Sequence, residues 1–318
     1  MKLLVVLVNY RTPELTVECL RSLAEEGRGL PGVAVVVDND SRDGSVALIR
    51  STVSAAGWAG WVDVMALPRN GGFAYGANAA IQRARSSSDP PEFVLLLNPD
   101  TMVRPGALEA LLDFMGARPD ASIVGSRLED MDGIPQRSAF RFHTVWSELE
   151  ATLRVGLLSR LLARHVAAPP VPDAPCRTDW VSGASLLIRS RVFDVIGLLD
   201  ETYFLYYEDT DFCLRAARAG FSCWYVPTSR VVHLRGRATG LDWKTPIGRV
   251  PSYWFESRRR YFVKNHGTAY AAVADLAWLV GTLGRRLRRV LDRQRHVDPP
   301  RFVGDFLEHS VFIQAGRR

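Results

Sequence analysis

The chain has 318 residues, 47% hydrophobic and 23% charged, a globular composition long enough for one large domain or two small ones with a sizeable core. Its 40 Lys and Arg against 34 Asp and Glu leave a net charge of +6, but residues 256–318 hold 13 basic and 6 acidic residues, a balance of +7, so the remainder is close to neutral at −1. This distribution excludes a nucleic-acid-binding core and points a basic tail at an anionic surface.

Strands and helices alternate through the first half. Residues 3–8 read as a buried strand, and 13–24 as a helix with Thr12 as its cap and Pro13 at its first position. A second buried strand, 33–37, ends at Asp38-Asn39-Asp40-Ser41, and a helix follows over 45–54. A third strand, 62–67, leads to Arg69-Asn70-Gly71-Gly72 and a helix over 75–85. A fourth, 93–97, ends at Asn98-Pro99-Asp100; a helix over 105–115 and a short strand over 122–126 come next. Continuous apolar strands alternating with helices predict a parallel, doubly wound α/β sheet. Ligands of such sheets bind beyond the carboxyl ends of the strands, where Asn9, Asp38, Asn70 and Asp100 all fall.

Each strand end has a plain reading beside a functional one. The stretch Asp38 to Ser45 is either a turn with a helix cap or a place where Asp38 accepts from a nucleotide base or ribose. Asn70-Gly71-Gly72-Phe73-Ala74-Tyr75-Gly76 is either a flexible loop or one whose glycines let the backbone approach a ligand; it matches neither G-x-G-x-x-G nor the P-loop. Asn98-Pro99-Asp100 is either a turn or a place where Asp100 ligates Mg²⁺ or Mn²⁺ with a diphosphate completing the shell. Further on, Glu208, Asp209 and Asp211 sit in an aromatic run before a helix expected over 213–220. Acids in such surroundings have partners or a task, although an acidic first turn on an ordinary helix accounts for them equally well.

Four cysteines, Cys19, Cys176, Cys213 and Cys223, form no C-x-x-C pair and suit buried roles in a reducing compartment rather than a metal site. The apolar run at 3–8 is too short for the core of a signal peptide. No segment reaches the roughly 20 apolar residues of a spanning helix; the nearest, 269–284, is interrupted by Asp275. The Leu-rich stretch 145–166, with Arg154, Arg160 and Arg164, reads as a packed helix or the lining of an entrance. Leu276, Leu279, Leu283, Leu287 and Leu291 form an apolar helical stripe, with Arg285, Arg286, Arg288, Arg289, Arg293 and Arg295 around its end. Such a helix either packs on the domain or lies on an anionic leaflet.

The series Val-Asn9-Tyr10, Asp38 to Ser45, Asn70 to Asn78, Asn98-Pro99-Asp100, Trp180-Val181-Ser182-Gly183-Ala184, Gly197 to Glu201, Phe204 to Phe212 and Val231-Val232-His233 resembles family 2 glycosyltransferases of the GT-A fold. It is most similar to the bacterial rhamnosyltransferase-like enzymes of cell-surface polysaccharide synthesis. The resemblance spans residues 3–266 and implies a catalytic domain over 1–266, with 267–318 as a basic amphipathic helical tail. It implies that Asn9, Tyr10, Asp38, Asn70, Gly71, Gly72, Phe73 and Asn98 line the donor nucleotide site. Trp180, Gly183 and Ala184 would meet sugar or acceptor, and Asp100 and His233 would hold a divalent cation, Mg²⁺ or Mn²⁺. Asn98 stands where the family's D-x-D pattern has its first aspartate, so one carboxylate is missing. Arg235 and Arg237, which follow His233, would meet phosphate. Asp209 matches the family's catalytic base, with Glu208 orienting the site or contacting acceptor.

The activity so implied is inverting transfer of a sugar from a nucleotide-diphosphate donor, dTDP-rhamnose or a UDP-sugar, to a saccharide or polyprenyl-linked saccharide. The expected location is cytoplasmic, peripheral at the inner face of the cell membrane, with no nucleic-acid partner. The alternatives are transfer of another UDP-linked sugar, such as galactofuranose or N-acetylglucosamine, and a non-catalytic nucleotide-sugar-binding homologue. A nucleotidyltransferase would need a glycine-rich basic loop after the first strand, which Asn9-Tyr10-Arg11 does not supply.

Overall fold

The computed structural model describes residues 2–26, 32–153, 160–234, 236, 248–291 and 298–314. They divide into two compact units. The first comprises 1–140, 170–204 and 208–240, and the second 141–169, 205–207 and 241–318.

The first unit is built on a mixed sheet. Its opening strands are β1 (Leu3–Asn9), β2 (Gly32–Asp38), β3 (Val62–Ala66) and β4 (Phe93–Leu97), all parallel in the order β3-β2-β1-β4. Every residue of β1 and β4 is buried, as strands covered on both faces require. Between them run α1 (Pro13–Glu26), α2 (Ser45–Ala55) and α3 (Phe73–Arg85). α1 turns Val17, Leu20 and Leu23 inward at helical spacing, onto a core shared with Leu3, Val5 and Leu7.

Beyond β4 come β5 (Thr101–Val103), α4 (Ala107–Ala117), β6 (Ala121–Glu129), β7 (Pro135–Gln136) and β8 (Ala139–Phe140). The helix expected at 105 begins at Ala107. Gly106 takes a left-handed conformation (φ 80°), and the Glu26 carboxylate accepts from the N–H groups of Gly106 and Leu108 at 2.7 and 2.9 Å, so a carboxylate from α1 caps the new helix. Next are β9 (Cys176–Thr178), β10 (Trp180–Val181), β11 (Ser185–Arg189), α6 (Ser190–Ile196), α7 (Glu208–Arg218) and β12 (Ser222–His233). β11 inserts antiparallel between β4 and β6, and β12 lies parallel to β6 and antiparallel to β5. α7 starts five residues before the expected 213, which places Glu208, Asp209 and Asp211 inside its first turn.

The second unit is helical: α5 (Val145–Leu153), α8 (Ser252–His266), α9 (Thr268–Leu291), α10 (Phe302–His309) and α11 (Val311–Gln314). The helix expected over 145–166 does not run through, because Ala163–His165 form a 3₁₀ turn; Arg154 lies outside the described residues. Buried Arg258 on α8 donates to Glu148 at 2.8 Å and to Asp275 at 2.6 Å, and Asp275 also accepts the N–H of Val311. Asp275 is therefore half of a buried ion pair that joins α8 to α9. Trp278 stacks on Phe306 with ring centroids 3.8 Å apart. Among the described residues no helix is long and apolar enough to cross a membrane.

Candidate active site

The carboxyl ends of β1 and β2 meet in register, with Asn9 opposite Asp38. The Asn9 side-chain amide donates to Asp38 at 2.7 Å, and its carbonyl oxygen accepts from Thr12 N–H, the Thr12 hydroxyl and the Thr16 hydroxyl. Asp38 also accepts from the N–H and hydroxyl of Ser41, at 3.0 and 2.6 Å. Both side chains are buried, so they brace the loops after β1 and β2 and set where the exposed residues of those loops stand. Tyr10 is one of these: 37% of its surface is open, and the Arg11 guanidinium lies 5.1 Å from its ring centroid.

The glycine loop is held from the same corner. Asn39 donates to Asn70 Oδ1 at 3.3 Å and to the Gly72 carbonyl at 2.8 Å, while Asn70 Oδ1 also accepts the Gly72 N–H. Gly72 has φ 89°, and a Cβ there would stand 2.1 Å from the Phe204 carbonyl oxygen. That oxygen accepts the N–H of Phe73, so only glycine lets the loop dock on the segment leading to the acidic run. Asn78, inside α3, adds a second tie. Its amide donates to the Leu199 carbonyl and to Glu201, and its oxygen accepts the Leu199 N–H. Residue-by-residue reading gave Asn78 no role; the available signal was a poor helix former on the inward face of an amphipathic helix.

Two consecutive non-glycine residues in the left-handed region, Tyr206 (φ 69°) and Tyr207 (φ 68°), precede α7, the kind of backbone that persists where surrounding structure enforces it. Asp209 Oδ2 accepts the Gly183 N–H at 3.0 Å, and Oδ1 accepts the Thr210 N–H at 2.7 Å. A Cβ on Gly183 would come within 3.4 Å of Asp209 Oδ2. Ala184, next in the chain, accepts the Asn98 N–H through its carbonyl at 3.1 Å. The structure thus brings Asn98, Gly183, Ala184 and Asp209 together, with Trp180 stacked on Phe140 at one end of that segment. Burial raises the Asp209 pKa against the opposing pull of the Gly183 and Thr210 N–H bonds. Burial, and then the charge of Asp209, push Glu208 well above the usual carboxylate range; Glu208 Oε2 is buried with no hydrogen-bond partner among the described residues.

Asp211 would have capped a helix beginning at 213, but α7 starts at Glu208. Asp211 lies inside α7, accepts from the Tyr203 hydroxyl at 3.2 Å and pairs with Arg215 at 2.9 Å. Arg215 in turn donates to the carbonyls of Ile196 and Leu198. The third acid of the run thereby fixes the helix that carries the second.

Asp100 and His233 converge across the β5–β12 pair, Asp100 Oδ1 and His233 Nε2 being 3.5 Å apart, and the Leu234 N–H donates to the Asp100 carbonyl. Asp100 is buried, and His233 Nδ1 has no hydrogen-bond partner among the described residues. Among those residues no group of three or more His, Cys, Asp and Glu gathers as a metal set. A carboxylate and an imidazole side by side are nevertheless a donor pair that fits a divalent ion. Arg235 and Arg237 lie outside the described residues.

A family profile described as "Glycosyltransferase like family 2" matches residues 2–247. The chain is 29% identical over 234 residues to N-acetylglucosaminyl-diphospho-decaprenol L-rhamnosyltransferase of Mycobacterium tuberculosis, covering 67% of this chain and 69% of that protein. It is 24% identical over 165 residues to rhamnosyltransferase WbbL of Escherichia coli, covering 51% and 60%. Among solved structures it resembles the mannosyltransferase PcManGT of Pyrobaculum calidifontis in complex with GDP-Man and Mn²⁺, with a TM-score of 0.56, 14% identity and coverage of 98% and 84%. The shared fold is GT-A.

Proposed function

The chain belongs to glycosyltransferase family 2, and we propose that it is an inverting enzyme carrying a rhamnosyl group from dTDP-rhamnose to a polyprenyl-linked saccharide in cell-surface polysaccharide synthesis. The donor and acceptor classes are supported by the rhamnosyltransferase relatives, one of them named for a diphospho-decaprenol acceptor. The observation that carries the reading is Asp209, a carboxylate with raised pKa, held on both oxygens by backbone N–H groups at the start of a helix. In that setting Asp209 takes the proton from the acceptor hydroxyl as the hydroxyl attacks the anomeric carbon opposite the leaving diphosphate, giving an inverted product. Glu208, protonated beside it, orients the acceptor. Tyr10 packs on the base, and the loop from Asn70 to Phe73 lines the nucleoside pocket. Asp100 and His233 would hold a Mg²⁺ or Mn²⁺ ion, which would offset the charge gathering on the leaving diphosphate.

We assign the catalytic work to residues 1–266 and the meeting with the membrane to 267–318, at the inner face of the cell membrane. The basic balance of the tail and its amphipathic helix support that location.

Thermal unfolding with dTDP-rhamnose and with UDP-sugars, in Mn²⁺ and in chelator, tests the donor and the ion together. Ligand stabilises the folded state as RT ln(1 + [L]/Kd), so dTDP-rhamnose should raise Tm, and more so in Mn²⁺. Asp100→Ala should lose the Mn²⁺ increment while keeping the Tm of the free protein. Equal shifts in Mn²⁺ and chelator would remove the ion from the account, and no shift with dTDP-rhamnose would remove that donor.

A further inference from the structure

α9 presents two apolar faces. One is buried: Ala271, Ala274, Trp278 and Gly281 face the helical unit, with Leu279 packed at the edge of the Val250, Phe255, Trp278 and Phe306 cluster. The Leu stripe expected from sequence therefore changes membership. Leu279 turns inward, the side chain of Leu291 lies outside the described residues, and three valines join. The exposed line is Val273, Leu276, Val280, Leu283, Leu287 and Val290, each at least half open, at alternating steps of three and four. At 1.5 Å per residue it runs about 26 Å. Contiguous exposed apolar surface of this extent marks a contact site.

At its C-terminal end the charge changes abruptly. Arg285, Arg286 and Arg289 all reach one carboxylate, Asp298, at 3.1, 2.8 and 3.0 Å. Three guanidinium groups thus converge on one carboxylate, and Arg286 keeps 44% of its side chain exposed. Arg286, Arg289, Val290 and Asp298 line a recess of about 720 Å³ there. The first turn of α9 carries no acidic residue. A second copy of the helix would thus bring either its own arginines or an uncharged end against this cluster, with no complementary charge in either direction. An anionic bilayer supplies what both features lack, apolar depth along the line and phosphate at its end.

We propose that this face of α9 lies on an anionic phospholipid bilayer, with the apolar line buried in the interface and lipid phosphate seated against Arg286 and Arg289. The assignment rests on the membrane location proposed above and names the surface responsible. The helix lies along the interface rather than crossing it, because its 24 residues are long enough to span but too polar to do so.

Flotation of the full chain on phosphatidylcholine vesicles, with and without phosphatidylglycerol, tests this. The wild-type chain should bind only the anionic vesicles, and less as salt rises. Each basic residue at such a surface is worth about 1 kcal/mol, so Arg286→Gln with Arg289→Gln should weaken partition by about 30-fold. Leu283→Gln with Leu287→Gln should abolish it, with Tm unchanged because both side chains are exposed. Asp209→Asn should bind as wild type does. If the wild-type chain floats with no vesicle, the membrane location itself fails. If it floats but both double variants float equally well, the location stands and this surface is wrong. A dimer in sedimentation that Leu283→Gln with Leu287→Gln dissociates, with no vesicle binding by the wild type, would give the line to a second copy.

Discussion

Asp209 and Glu208 are adjacent carboxyls in unequal surroundings. Burial raises the pKa of both; on Asp209 the N–H groups of Gly183 and Thr210 pull against it, whereas on Glu208 the charge of Asp209 adds to it. Asp209 therefore ionises first as pH rises, with Glu208 still protonated. The pH profile of kcat/KM should show a rising limb above the ordinary aspartate value of 3.8, because the base works only when ionised. Glu208→Gln should leave that limb in place, since it replaces one neutral group by another. A limb displaced by about one pH unit or more in Glu208→Gln would mean that Glu208 is ionised in the working enzyme. The stability effect has the opposite sense. Carboxyls with raised pKa bind more protons folded than unfolded, so both residues lower stability as pH climbs from the usual carboxylate range through their folded values. The motif residues were legible in the sequence one by one, but their partners were not. Asp38 reads as a free acceptor at a strand end, and only the fold shows it bonded to Asn9 and Ser41, the former 29 positions away.

At the scale of elements, α8 and α9 are joined by charge as well as by packing. In the sequence Asp275 looks like a flaw in an apolar segment. Its partner Arg258 lies 17 residues upstream, and Glu148, the other anion on that guanidinium, 110 residues from it. Nothing in hydrophobic periodicity connects the three. Burial alone would lower the Arg258 pKa, yet Glu148 and Asp275 hold it above the usual arginine value. Among the described residues, Arg258→Met would leave buried Glu148 with only His143 beside it and buried Asp275 with only the Val311 N–H, a loss of about 3–5 kcal/mol in chemical unfolding. A loss below about 1 kcal/mol would show that the network is relieved by water or movement. Local rules did place most elements of the first half, because cap residues and apolar runs act over a few residues. They misplaced the start of α4, whose cap, Glu26, comes from another helix.

Over the whole molecule, strand–helix alternation revealed the parallel half of the sheet but not its continuation. β11 carries the apolar run Leu186-Leu187-Ile188, which reads like the middle of a parallel strand, so nothing in it signals that it runs antiparallel between β4 and β6. Nor does composition show that the helical unit draws on three separate stretches of chain. The site survives both omissions because the motifs lie at strand ends and loop starts, where the sheet collects them in any case. The central claim is that the assembled chain performs a single displacement with Asp209 as its base, and turnover of Asp209→Asn beside the wild type tests it most directly. With dTDP-rhamnose and a polyprenyl-linked acceptor, the variant should lose roughly 10²–10⁴-fold in kcat at unchanged donor affinity, and the wild-type product should carry the inverted anomer. Turnover within a few-fold of wild type, or a product of retained configuration, would contradict the account.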